Sequence, residues 1–130
     1  MKLESARGVF VVRYEDPAEL APPRQAEVVA ALREGASQGP IAVVFVVPQA
    51  VQAVAHEVPE HWLGVTTDPA MRIAAMAIVT PNVAVSVATR AFGTFNILRS
   101  TSTAVSPFAS EREALEWAAG KLAAARAAGR

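Results

Sequence analysis

Pro40-Ile41-Ala42-Val43-Val44-Phe45-Val46-Val47 decides the fold. The run is continuously apolar, as expected of a central strand covered on both faces. Pro48 ends it, far short of the roughly 20 apolar residues a membrane-spanning helix needs. Working outward, Met71 to Val79 reads as a second buried strand, and Gly8 to Tyr14, β-branched and aromatic, as another. Lys2 to Ala6 is placed as the hairpin partner of the latter, through a short turn at Arg7-Gly8. Ile97 to Val105 is a weaker strand, rich in Ser and Thr.

Helical signals fall between these strands. Asp16-Pro17-Ala18-Glu19 has the form of a helix start, with Asp16 as cap and Glu19 reaching back. Pro22-Pro23 interrupts it, so the main helix is placed from Arg24 to Glu34, with Val28 and Leu32 on one side and Gly35 as its stop. A second helix is placed over Gln49 to His56, followed by a stretch broken by Pro59 and containing Trp62. A third runs from a Thr80-Pro81 cap to Phe92 and ends at Gly93. Ser110-Glu111-Arg112-Glu113 matches a capping box, and Leu115, Ala118, Leu122 and Ala125 recur behind it at helical spacing. The order β-β-α-β-α-β-α-β-α predicts one α/β domain over residues 1–130. Its central sheet is mostly parallel, with an N-terminal antiparallel hairpin strand and helices packed on the sheet.

Composition narrows the function. Of the 130 residues 52% are hydrophobic and 18% charged, which argues against disorder. Twelve basic and twelve acidic side chains cancel, so the basic excess of a nucleic-acid binder is missing. There is no cysteine, hence no disulfide or thiolate chemistry. The N-terminus lacks the apolar core of a signal peptide, and a cytoplasmic protein is expected.

The element order resembles that of STAS domains, the family of anti-sigma-factor antagonists and sulfate-transporter tails. The closer likeness is to the SpoIIAA-like branch of short bacterial proteins. Arg72 to Thr80 looks like that branch's fourth strand, Ala91-Phe92-Gly93 like the end of its third helix, and Phe108 to Trp117 like its closing F-x-x-x-x-x-A-L-x-W helix. The resemblance implies a domain that docks to proteins in signalling or regulation, or occasionally holds an apolar ligand, without catalysis. Phospho-regulated members place a Ser or Thr just after the central strand, where Pro48-Gln49-Ala50-Val51 stands here. A phosphate switch at that place is therefore not expected.

Candidate chemistry is sparse, and no cofactor is expected. His56 and His61, with Glu57 and Glu60, are the metal-ligand types present, but their spacing matches no standard zinc pattern and no metal is expected. Ser100-Thr101-Ser102-Thr103 offers hydroxyls without a partnering base, and no Gly-x-Ser-x-Gly elbow is present. Glu15-Asp16 and Glu111, Glu113 and Glu116 read as helix-start acids. Thr80 reads as a helix cap, with phospho-acceptor as the alternative.

An absence of charge is more informative. No charged residue lies between Glu34 and Glu57, and only Arg90 and Arg99 occur from Ile73 to Ser110. By the 3.6-residue period, Asn82, Ser86, Thr89 and Arg90 share one side of the third helix, and Ala84, Val87, Ala88 and Ala91 lie opposite. Val83, Val85 and Phe92 flank them. The polar side is taken as the outer one, making Asn82, Val85, Ser86, Thr89 and Arg90 the candidate partner-binding residues, for another protein or for self-association. The alternative is an apolar ligand held between sheet and helices by Met71, Met76, Phe92, Phe95 and Trp62.

Overall fold

The computed structural model describes residues 1–52, 54–99 and 101–129. Its elements are β1 (Lys2–Ala6), β2 (Val9–Arg13), α1 (Ala26–Ala36), β3 (Ile41–Val46), α2 (Glu57–Thr66), β4 (Ile73–Val79), α3 (Val83–Leu98), β5 (Ala104–Phe108) and α4 (Glu111–Ala128). Two 3₁₀ turns, Pro17–Leu20 and Pro22–Gln25, lead into α1. The five strands form one sheet in chain order, with β1 antiparallel to β2 and every later pair parallel. The expected α/β fold with a mostly parallel sheet and an antiparallel hairpin is the one found.

Arg7 and Gly8 join β1 to β2, and both have positive φ, as a two-residue hairpin turn matched to strand twist requires. From β2 onward each strand is laid beside the last through a helix. Crossovers of one hand then set α1, α2 and α3 on the same face of the sheet. On that face Val28, Leu32 and Ala36 of α1, Trp62 and Val65 of α2, and Val85 and Phe92 of α3 pack on Phe10, Val12, Ile41, Val43, Phe45, Met76 and Ile78. The other face carries α4 alone. There the strands present Ala42, Val44, Ala75 and Ala77, whose small side chains admit Ala114, Ala118 and Leu122 of α4. Arg13 at the end of β2 clamps Glu111 in the first turn of α4 through two hydrogen bonds, one of 2.7 Å. Alternation of large and small residues along β3 and β4 thus assigns three helices to one side and one to the other.

Several boundaries differ from the sequence reading, each for a local reason. Gln49 to His56 is not helical where described, and the second helix starts at Glu57. Pro59 lies inside that helix at its third position, where no intrahelical N–H is required, so it starts the helix rather than breaking it. Gly35 does not stop α1, which runs to Ala36. A Cβ at Gly35 would lie 2.6 Å from the Phe10 ring, so its glycine serves close packing. The third helix is capped by Asn82, whose Oδ1 accepts from the N–H of Ala84 at 2.8 Å, while the Thr80 hydroxyl accepts from the N–H of Asn82 at 3.1 Å. That helix passes through Gly93 to Leu98, with Gly93 packed beside Val105 of β5 and not in the left-handed conformation of a helix stop. Ile97 and Leu98 are therefore helical, and the last strand starts at Ala104.

Candidate functional site

The third helix faces the opposite way from the sequence reading. Its inner stripe is Val85, Thr89, Phe92 and Asn96. Val85 is 2% exposed and Thr89 6%, so neither lies on an accessible surface. Two polar residues enter the core because each finds a partner on its own helix. The Thr89 hydroxyl donates to the Val85 carbonyl at 2.8 Å. The Asn96 amide donates to the Phe92 carbonyl at 2.9 Å and its oxygen accepts from the Thr101 hydroxyl at 2.8 Å. Satisfied in this way, they can be buried at little cost. Of the other candidates, Asn82 is the half-buried cap, Ser86 is half-buried and only Arg90 is exposed.

The outward face is apolar. Val83, Val87, Phe95, Ile97 and Leu98 are each between 54% and 77% exposed, and among the described residues no other large hydrophobic side chain is so open. Ala84, Ala91 and Thr94 lie between them, also exposed. On the helical period the arc from Val83 through Val87, Leu98, Ala91, Ala84 and Phe95 to Ala88 contains one polar side chain, Thr94. Arg90 sits at its margin. A contiguous exposed apolar strip of this kind marks an interaction surface.

The arc leads to a cleft between α2 and α3. Its cavity, about 90 Å³, is floored by Phe45, Met76 and Ile78 and walled by Trp62, Val85 and Phe92, with Leu20, Val54, Val58, Pro59 and Ala88 at the mouth. Its two hydroxyls are engaged elsewhere: Thr89 as above, and Tyr14 with the Gln25 side chain. Burial pushes the Tyr14 phenol above its usual range. Trp62, Met76 and Phe92, three of the five residues expected around an apolar ligand, do meet here. Met71 is fully buried but does not line the cleft, and Phe95 is on the outer surface.

The remaining polar candidates do not assemble into one site, and the His61 Nε2 is buried without a hydrogen-bond partner. His56 is exposed, 3.7 Å from Glu57, and His61 stands edge-on to Trp62 at 5.5 Å between ring centres. Among the described residues no three His, Asp or Glu side chains come together as a metal would require. Thr101 bonds Asn96, and Thr103 donates to the Ile73 carbonyl at 2.7 Å. Ser100 lies outside the described residues. Asp16 and Glu19 form the expected capping box, and the Ser110 hydroxyl accepts from the Glu113 N–H at 3.4 Å. No described helix is long and apolar enough to cross a membrane.

The β5 edge next to α3 is unsuited to strand addition. The backbone N–H of Thr80 donates to the Phe108 carbonyl at 2.9 Å, so Phe108 faces β4 and Pro107, one residue back, turns its missing N–H to the open edge. The apolar surface of α3 is left as the binding feature on this side. No family model, curated protein or solved structure matches the chain.

Proposed function

We propose that this domain is a non-enzymatic adaptor that docks to protein through the outer face of α3. One observation carries the reading: among the described residues, all five largely exposed, large hydrophobic side chains lie on that helix. A lone apolar residue on a surface is ordinary, but five on one helix with a single marginal charge are not. The strand–helix order and the closing Ala114-Leu115-Glu116-Trp117 segment support placing the domain with STAS-like, SpoIIAA-like docking proteins. A cytoplasmic role in bacterial signalling or regulation follows from that likeness. With Pro48 to Val51 lacking a hydroxyl, docking is constitutive at the place where such proteins are phosphorylated. The test is capture from cell extract on immobilised wild type and on a Val87→Glu/Phe95→Glu double variant, with the fold checked by circular dichroism. Proteins retained by the wild type and lost by a folded variant support the surface. Equal retention by both removes it.

A second reading, an apolar ligand in the α2–α3 cleft, is supported by the cleft's almost wholly apolar lining. Size limits it. At about 90 Å³ the cavity is smaller than the engineered cavity of about 150 Å³ that holds benzene, and far below the 300 Å³ or more of ordinary ligand sites. A lipid enters only if α2 and α3 part. Titration with small aromatic compounds tests this, followed by fluorescence of a Trp117→Phe variant in which Trp62 is the one tryptophan left; saturable quenching supports the ligand and an unchanged signal removes it.

A further inference from the structure

We propose that the cavity at the N-terminal edge of the parallel sheet, lined by Arg7, Arg72 and Arg126, holds a small molecule by a diphosphate group. It shares no residue with α3, so it stands apart from the docking role above. The cavity is open and about 820 Å³ in volume, within the range of ordinary ligand sites. Its walls are the β1–β2 turn, the C-terminal ends of α1 and α4, and the residues that lead into β3 and β4. Among the described residues no acid lines it, and none pairs with any of the three arginines.

Helix capping uses part of this charge and leaves part over. Arg72 donates through Nε at 3.1 Å, and through Nη2, to the Ala36 carbonyl that ends α1. Arg126, in the last turn of α4, donates from Nη2 to the Arg7 carbonyl at 3.1 Å. Both guanidiniums keep Nη1 for a ligand, and of Arg7 only the backbone is engaged among the described residues. Each helix C-terminus brings about half a negative charge, so three guanidiniums against two helix ends leave about two positive charges facing the cavity. Backbone conformation points the same way. Arg7 and Arg72 are the two described residues other than glycine with positive φ, at 54° and 41°. Gly or Asn fills such positions with less strain, yet both are arginine and both line this one cavity. Conformations of this kind cluster at ligand clamps. A Cβ at Gly8 would collide with the Arg126 guanidinium, so the bare glycine lets that group lie over the turn.

Spacing selects the ligand. The Gly8 carbonyl accepts from the Ala42 N–H at 3.0 Å, and the Arg72 carbonyl from the Ile41 N–H at 3.1 Å. The Arg7-Gly8 turn and Arg72 therefore flank the start of β3, about 10 Å apart at twice the strand spacing. Arg72 reaches to α1 on one face of the sheet, and Arg126 comes from α4 on the other. Guanidiniums arriving from three elements at that separation suit the tetrahedral oxygens of two linked phosphates, which accept in several directions, whereas a carboxylate accepts in one plane. A nucleic-acid strand fits less well, because the chain as a whole has no basic excess.

Titration calorimetry of the full chain with inorganic diphosphate at low salt should show one saturable site, with a dissociation constant below ~1 mM. Arg7→Asn is the deciding variant. Asn suits the positive φ, so melting should match or exceed that of the wild type while diphosphate binding weakens about tenfold. Arg126→Gln should weaken it by about as much. Arg112→Gln, at an exposed site on α4 outside the cavity, should leave it unchanged. A wild type that binds no diphosphate overturns the site, as does binding indifferent to Arg7→Asn and Arg126→Gln. Succinate bound as tightly as diphosphate, or a single-stranded oligonucleotide bound more tightly, overturns the ligand class. Adenosine diphosphate separates the sources: tighter binding than inorganic diphosphate supports a nucleotide, and equal binding supports recognition of the diphosphate alone.

Discussion

The Thr89 hydroxyl donates to the carbonyl of Val85, one turn back, at 2.8 Å inside the core. That bond turns α3 over: with Thr89 satisfied by its own helix, the hydroxyl stripe can lie against the sheet and the valines of the other face can lie outside. A pair of substitutions two residues apart reports the orientation. Val85→Glu buries a charge with no partner and should cost about 3 kcal/mol or more, lowering the melting midpoint by over about 10 °C. Val87→Glu, on the open face, should leave it within about 2 °C. Thr89→Val keeps the shape and leaves the Val85 carbonyl its helical N–H, so it should change stability by less than about 0.5 kcal/mol. Thermal unfolding of the three variants checks all of this, and a reversed ranking of the two glutamates would refute the orientation.

Two glycines in helices should respond with opposite signs to the same substitution. Replacing glycine by alanine inside a helix ordinarily stabilises by about 1 kcal/mol. At Gly120 of α4 a Cβ meets nothing within 4 Å, and Gly120→Ala should show that gain. At Gly35 of α1 the new Cβ would lie 2.6 Å from the Phe10 ring, and Gly35→Ala should destabilise despite the better propensity. Urea titration of both variants decides it.

Much of this was legible in the residues and some was not. The first four strands were, because Ile41 to Val46 and Ile73 to Val79 are apolar without interruption and only a doubly covered sheet accommodates both; the fifth, expected over Ile97 to Val105, was not, since Ile97 and Leu98 end α3 and the strand is Ala104–Phe108. The hairpin was legible at Arg7-Gly8, and α4 at Ser110. α2 was misplaced because a proline reads as a breaker unless its position in the first turn is known, and Pro59 is in that turn. The face of α3 was not legible. Its sequence offers two stripes, Val85–Thr89–Phe92–Asn96 and Val83–Val87–Phe95–Leu98, and the more apolar one normally faces the core. The less apolar one does so here, because Thr89 and Asn96 bond to carbonyls four residues earlier. No periodicity distinguishes a stripe covered by the sheet from one covered by a partner.

Acid should act on the N-terminal turn first. The Glu19 carboxylate lies against the Met1 amino group and accepts from the N–H groups of Glu15 at 2.7 Å and Asp16 at 2.8 Å. These contacts, the Met1 ammonium foremost, hold its pKa down to about 2 against an ordinary 4.5, outweighing partial desolvation. A carboxyl held low in the folded state contributes stability that is complete above the unfolded value and lost as pH falls toward the folded one. Glu111, hydrogen-bonded to Arg13, and Asp68, bonded to the Ala70 N–H and to Arg33, are held low as well and add to the same limb. Glu19→Gln should therefore melt below the wild type near neutral pH, with the gap closing between pH 4.5 and 2. Melting curves across that range check it, and a gap independent of pH would show that Glu19 does not act through its charge.

The absence of cysteine makes the central claim open to direct measurement, since a single introduced thiol is the only one in the chain. Val87→Cys places it on the outer face of α3, and Arg112→Cys, at an exposed site on α4, serves as reference. The rate of reaction with a thiol reagent is compared for each dilute variant in buffer and in concentrated cell extract. If the α3 face is where this protein binds, Cys at 87 becomes protected in extract while Cys at 112 keeps its rate relative to a free thiol. Equal reactivity at the two positions under both conditions would contradict the account.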